Sequence, residues 1–508
     1  MEDEGEIKKM IDKALGKFFF LCNVPFIAVE KRHFLEFVDT LMLNARKRPR
    51  FSYKPPCRKT LATTILQQLY EEVQHEKKEI LKNTNCVLQV DGWKNSETNK
   101  KLLVFSLTNF RLPLLYLTSV DISLDREDGE TLSTLINDSI KFAEDEYDVK
   151  VESCISDNDS KIKAGVRLAR TPDNKRLMQS SCGSHSGNRL FISMVNLPFK
   201  EKISKIINEF STPKAEALIH RLGGTKLKMF PETRWCYLRD SCESILKNLN
   251  IMKRKIRLGD HGIQQSICDL VNSVDLKNEI KLFMMIIKPV CILINKCQDA
   301  RVNIADAAQL WLQLASKIPV NTYDNIISER IKKAIWPVGY AANLLHHKYQ
   351  GQLLNADQLI MAETFLHEKL DAQAWQELQS FLTNRESYEF LASRSKNPYY
   401  FWCSIDHIYK NLARFSKSIF IIPASTARLE GLFSQWTYIH NNYRNRLGDL
   451  KSSQLIDIYS YYTITQPQLL QKPKKTHLSI DLDDDEDDLM QVNDDLMNVD
   501  DDLINEDD

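Results

Sequence analysis

Long apolar runs are missing from this 508-residue chain. The longest, Leu282–Ile294, is broken by Lys288 and Pro289. A bilayer needs about 20 consecutive apolar residues, so no membrane span is expected. The start, MEDEGEIKK, lacks the apolar core of a secretory signal. No C-x-x-C pair occurs among the 11 cysteines. An odd number scattered through apolar context reads as reduced intracellular thiols, not as a disulfide framework. Net charge is absent too, but only as a sum. Residues 481–508 hold 15 Asp and Glu and no Lys or Arg, which leaves 68 basic against 53 acidic residues in the rest. A basic body with an acidic tail suits a polyanion binder that shields itself, or a chain with a solubilising tail.

What is present describes a globular protein. The hydrophobic fraction is 43% and the aromatic fraction 9%, enough for a large core and roughly two to four structural units. Residues 1–80 read as helical, with Phe34, Phe37 and Leu41, then Leu61, Ile65 and Leu69, at helical spacing. Between these helices lies Ala45–Lys59, with seven Lys or Arg, three Pro, Phe51 and Tyr53. Such a segment suits a DNA backbone, a nuclear-import receptor or a solvated loop. Arg46, Lys47, Arg48 and Arg50 are its DNA-contact candidates.

The period then changes. Cys86–Val90, Leu102–Thr108 and Leu114–Ile122 read as strands. A helix from Gly129, a strand at Val151–Ser156, a helix at Lys161–Arg170 and a strand at Leu177–Ser181 follow. That order predicts an α/β layer with a mixed sheet. Asp91 and Asp157 each follow a strand, at the edge where α/β proteins place ligands. Each also fits a turn or cap position, with Gly92 or Asn158-Asp159 beside it. Cys182 and His185 form a C-x-x-H, half of a zinc-ligand pattern. Residues 191–415 read as helical. Trp235 and Trp311 are aromatic candidates for DNA stacking, with core packing the competing role for both, as for Trp402.

Pro423–Leu447 reads PASTARLEGLFSQWTYIHNNYRNRL. Ser425 or Thr426 can cap a helix whose stripe is Leu429, Leu432, Phe433 and Trp436, and Glu430 borders that stripe. A second stripe, Leu455, Ile458, Tyr459 and Tyr462, offers a partner face. Gln471–Lys475 is a small basic cluster suited to nuclear import. The composition of residues 466–508 is expected to leave them a disordered acidic tail.

The Pro-Ala-Ser start, the Glu before Leu-Phe-Ser and the Arg-Asn-Arg-Leu end resemble the C-terminal segment of hAT-superfamily transposases. The resemblance extends over residues 15–462. It takes in Tyr53–Thr60, Asp91-Gly92-Trp93, Asp157-Asn158, Cys182/His185/Asn188 and Thr233-Arg234-Trp235. It implies a ribonuclease-H-like α/β core interrupted by a large all-α insertion, behind a helical N-terminal domain. The implied divisions are 1–80, 81–190, 191–415, 416–465 (core helix and dimerisation region) and 466–508. It implies an acidic triad of Asp91, Asp157 and Glu430 holding Mg²⁺ or Mn²⁺ for DNA cleavage and strand transfer, in a nuclear, DNA-binding dimer. Two departures stand out. Gly431 replaces the usual Arg after the Glu, and no zinc-finger Cys/His array precedes residue 80. A non-catalytic nuclear regulator is therefore the second expectation, and an unrelated ribonuclease-H-like nuclease the third.

Overall fold

Five β-branched and leucine-rich runs become strands of one sheet. A computed structural model of the protein describes residues 11–12, 14–15, 26–47, 56–94, 100–170, 175–229, 236–258, 263–439 and 448–465. Expectations for Arg48, Arg50, Trp235 and the acidic tail lie outside these residues. β1 (Thr84–Lys94), β2 (Lys101–Thr108), β3 (Leu115–Asp121), β4 (Val149–Ser156) and β5 (Met178–Ser181) pair in the order β3-β2-β1-β4-β5. β1, β2 and β3 are antiparallel neighbours, whereas β4 runs parallel to β1 and β5 parallel to β4. Short turns can join only the antiparallel strands; the parallel pairs need helical crossovers. The expected mixed sheet is therefore present, within a chain that is otherwise mostly helical.

Residues 56–464 form one compact unit, and the described residues before 56 belong to another. In the latter, α1 (Arg32–Lys47) ends on exposed Arg46 and Lys47. The remaining helices named here belong to the larger unit. They are α2 (Leu66–Leu81), α3 (Gly129–Tyr147), α4 (Ser160–Leu168), α5 (Gly183–Met194), α6 (Val274–Cys297), α7 (Ile304–Leu312), α8 (Ala427–Ile439) and α9 (Asp449–Thr465). None of the described helices is long and apolar enough to cross a membrane.

Strand alternation sorts the sheet into two faces. Cys86, Leu88 and Val90 pack with α2, α3 and α4. On the opposite face, Val87, Ile155 and Met178 join the large core of the insertion helices. Farther along that face, Trp93, Leu102 and Val104 pack under Leu429, Leu432 and Trp436 of α8 and Ile456 of α9. Trp436 is held edge-on to Tyr116, with ring centroids 5.5 Å apart. Removing so large a buried ring would cost about 3–5 kcal/mol, so α8 is anchored firmly over the sheet.

α9 departs from expectation. Leu455 and Tyr459 pack against the α8 core, and Ile458 and Tyr462 against the α2–α3 core. Buried Lys77 on α2 meets buried Asp457 on α9 at 2.9 Å. The stripe read as a partner face thus covers the chain's own sheet. Periodicity reports that a helix has an apolar side, not whose surface that side covers.

Candidate functional site

The site grows from the end of β4. The parallel register pairs Val90 with Ser156. The next residues, Asp91 and Asp157, therefore lie side by side on the face that α5 and α8 cover. Asp157 follows its strand as expected. Asp91 does not end β1, because antiparallel pairing with β2 continues through Asp91↔Val104 to Lys94↔Lys101. β1 has lost its β4 partner at this point but keeps β2. Asp157 Oδ1 accepts from the Asp159 amide at 2.9 Å, and Asp159 caps α4. The turn that ends β4 is thereby fixed.

Cys182 and His185 come from the start of α5. The Cys182 amide donates to Ser156 O at 2.8 Å, continuing the line of β5 past its end. Cys182 is the residue before the helix and His185 lies in its first turn, so an i, i+3 spacing puts both on one side. Asn158 ties the two turns together by donating to Cys182 O and to Ser186 Oγ.

Glu430 arrives through a stitched segment. The Gly183 amide donates to Ala424 O at 2.8 Å, and the Ala424 amide donates to Val302 O at 3.2 Å. Ser425 Oγ donates to Cys297 O at 2.7 Å, and the Thr426 amide donates to Cys182 Sγ at 3.4 Å. The loop between α6 and α7 thus holds Pro423–Thr426 against the start of α5. The helical stretch between β5 and α8 is the clamp that returns Glu430 to the sheet. Glu430 sits in the first turn of α8, where a helix terminus favours negative charge.

Three carboxylates and one imidazole result. His185 Nδ1 lies 3.5 Å from Glu430 Oε1. Asp91 is only 4% exposed. Its Oδ1 accepts from the Gly92 amide at 2.8 Å, while its Oδ2 is buried without a hydrogen-bond partner. Glu430 Oε1 is likewise buried without one. Burial pushes the Asp91 carboxyl well above the usual range; Asp157 and Glu430 add to this and His185 opposes it. Burial raises Asp157 against the Asp159 amide. Burial also raises Glu430 to about 7, opposed by His185 and assisted by Cys182 and Asp157. The carboxylates feel one another, with His185 and, for Asp157, Arg189 opposing their mutual repulsion. Cys182 Sγ, a His185 ring nitrogen and a Glu430 oxygen all lie within 4.8 Å of one another.

Residues 56–212 match the model of a domain of unknown function (DUF659). Residues 377–462 match that of the hAT family C-terminal dimerisation region. Together these two matches support an hAT-family transposase-like protein. No curated protein matches it. The dimerisation match contains α8 and Glu430, and the DUF659 match contains Asp91, Asp157, Cys182 and His185.

Other candidates lie elsewhere. Trp311 on α7 is 1% exposed and packs within the insertion core. It presents no ring face for a base, which corrects the stacking expectation. Its apolar neighbours Ile304, Ala307 and Ala308 had already placed it on a buried side. A cleft of about 320 Å³ opens behind the start of α8, lined in part by Arg111, Asp299, Arg301, Pro423 and Arg428. It contains none of the three acids. Sequence reading did not single out Arg428, although it stands two residues before Glu430.

Proposed function

We propose that this transposase-like protein uses Asp91, Asp157 and Glu430 to hold Mg²⁺, or Mn²⁺, for phosphodiester cleavage and strand transfer on a ribonuclease-H-like sheet. It would do so as a nuclear, DNA-binding dimer. One observation carries the reading. Three carboxylates from β1, the end of β4 and α8 share one face, and Asp91 Oδ2 and Glu430 Oε1 are buried there with unused lone pairs. Hard oxygen donors suit Mg²⁺, which needs few protein ligands because it keeps several waters. When bound, such ions would stabilise charge on the attacking and leaving oxygens of an in-line displacement.

The chain's own residues have separate tasks. Asp91 and Asp157 hold the sheet side of the site, and Glu430 closes it from α8. Asn158 and the Pro423–Thr426 clamp fix the distance between the two sides. Arg428 and Arg111 line the adjacent cleft, where a neighbouring DNA phosphate would find positive charge. Gly431, in place of the family's usual Arg, favours a second reading, a non-catalytic nuclear DNA-binding regulator that keeps the dimerisation region. The deciding experiment is Mg²⁺-dependent nicking of nonspecific duplex DNA by purified protein. Nicking abolished by Asp157→Asn supports catalysis. DNA binding without nicking in Mg²⁺ or Mn²⁺ supports the regulator.

A further inference from the structure

We propose that Cys182, His185 and Glu430 form a thiolate–imidazole–carboxylate site for a borderline-soft divalent cation such as Zn²⁺. The inference is independent of phosphodiester chemistry; it shares Glu430 with that reading, and the neighbouring Asp91 as a candidate fourth ligand. The three ligand atoms lie within 4.8 Å of one another. A tetrahedral ion with Zn–N near 2.0 Å and Zn–S near 2.3 Å separates its ligand atoms by about 3.5 Å. His185 Nδ1 and Glu430 Oε1 are already 3.5 Å apart, so a small side-chain adjustment of Cys182 completes the triangle.

Three features point to a cation. Glu430 Oε1 is buried without a hydrogen-bond partner. Asp91, also nearly fully buried, has an unpartnered Oδ2 and lies close enough for its charge to act on both Cys182 and His185. The donor set is mixed. Sulfur and imidazole nitrogen select a softer ion than the all-oxygen set of Asp91 and Asp157. Three protein ligands with one position left over match a zinc site open to water, to Asp91 or to another ligand. Cys182 is fully buried, while His185 and Glu430 are half-buried, so an ion would enter past those two.

The consequence is competition. An ion held by Cys182 and His185 draws Glu430 away from Asp157, so Zn²⁺ would block a Mg²⁺ site that needs the same carboxylate. The test is Co²⁺ titration of the full-length, metal-free protein, followed by Zn²⁺ displacement. A thiolate-to-cobalt charge-transfer band with intense tetrahedral ligand-field bands is expected, and both should vanish on adding Zn²⁺. Cys182→Ser should remove the charge-transfer band. It should weaken Zn²⁺ binding by roughly 100-fold or more, since loss of even a supporting residue typically costs 10–100-fold. Asp157→Asn should leave both signals in place. A weak octahedral spectrum without the thiolate band would overturn the proposal, as would a band that survives in Cys182→Ser. If Cys182→Ser does not fold, His185→Asn serves instead and must weaken binding comparably. Loss of the cobalt spectrum in Asp157→Asn, but not in Cys182→Ser, would assign the ion to the acidic set alone.

Discussion

Asp91 and Asp457 are both aspartates buried to 4% exposure or less, yet their surroundings differ in kind. Asp457 on α9 receives both carboxylate oxygens' worth of bonds from Lys77, at 2.9 and 3.0 Å, and another from Gln74. Lys77 also donates to Tyr116 O at 2.9 Å. Charge and hydrogen bonds are satisfied within the fold, although burial still holds Asp457 above its ordinary range. Asp91 faces two further carboxylates, one imidazole and an unused oxygen. The first arrangement locks the last helix to the sheet. The second leaves buried oxygens unpaired, an arrangement that the proposed cation would complete. Burial of a charge alone thus says little; its partners separate a structural carboxylate from a functional one.

The largest expected effect comes from breaking the structural pair. Lys77→Met should destabilise the fold by about 3–5 kcal/mol, because it strands Asp457 without its cation. Lys77→Met combined with Asp457→Leu should recover most of that loss, since an apolar pair avoids the desolvation cost. Urea denaturation of the four members of the cycle measures both. A double variant no better than Lys77→Met would mean that the pair does more than neutralise itself.

The acidic site should show a dependence on pH of the opposite origin. Glu430 titrates near 7 when folded, against about 4.5 when unfolded. A carboxyl raised in the folded state contributes stability that is complete below pH 4.5 and lost as pH rises through 7. For metal-free protein that loss should be about 2 kcal/mol, after allowing for partial exposure. Asp91 and Asp157, raised in the same direction, add to it. Glu430→Gln should flatten part of the slope between pH 5 and 8, and Mg²⁺ should restore stability at pH 8. An unchanged slope in Glu430→Gln would move the titration elsewhere.

These two regions also mark what the residues alone could reveal. Strand and helix order followed from period, whereas Asp157 and Glu430 were singled out by the resemblance, since alone each also fits a cap or a helix border. The position of Asp91 was less legible, because β1 outlasts its β4 pairing and the end of a strand depends on its partners. The Cys182 cluster read as half a zinc site because its third member, Glu430, arrives on a segment far away in sequence, just past Thr426, which itself is 244 residues from Cys182. Lys77–Asp457 was invisible for the same reason. The α9 stripe stayed ambiguous because an intramolecular apolar face and an intermolecular one have the same spacing.

That ambiguity yields a smaller prediction. The dimerisation match covers α9, but Leu455 is half-buried in the chain's own core while Leu450 is 74% exposed. Leu455→Ala should cost about 1–2 kcal/mol in stability, less than a fully buried leucine. Leu450→Asp should weaken self-association in sedimentation experiments while leaving stability within about 0.5 kcal/mol. Dissociation by Leu455→Ala at unchanged stability would return the stripe to the interface.

The smallest effect lies beside Glu430 itself. Gly431 is exposed inside α8, and a Cβ there would meet nothing within 4 Å. Glycine in a helix interior costs about 0.5–1 kcal/mol relative to alanine, because it loses more backbone freedom on folding. Gly431→Ala should therefore stabilise the protein by about that amount without moving Glu430. Gly431→Arg should gain less, because Arg428 stands three residues earlier on the same helix and like charges at that spacing cost a few tenths of a kcal/mol. Gly431→Ala should keep the pH slope of the parent, since it adds no charge beside the carboxylates or His185, whereas the cation of Gly431→Arg should lower the titration of Glu430 and flatten the slope. A Gly431→Ala protein less stable than the parent, or one with a shifted slope, would show that the backbone here must adjust for the site to form. Glycine would then belong to the acidic site rather than merely occupying a neutral turn of helix.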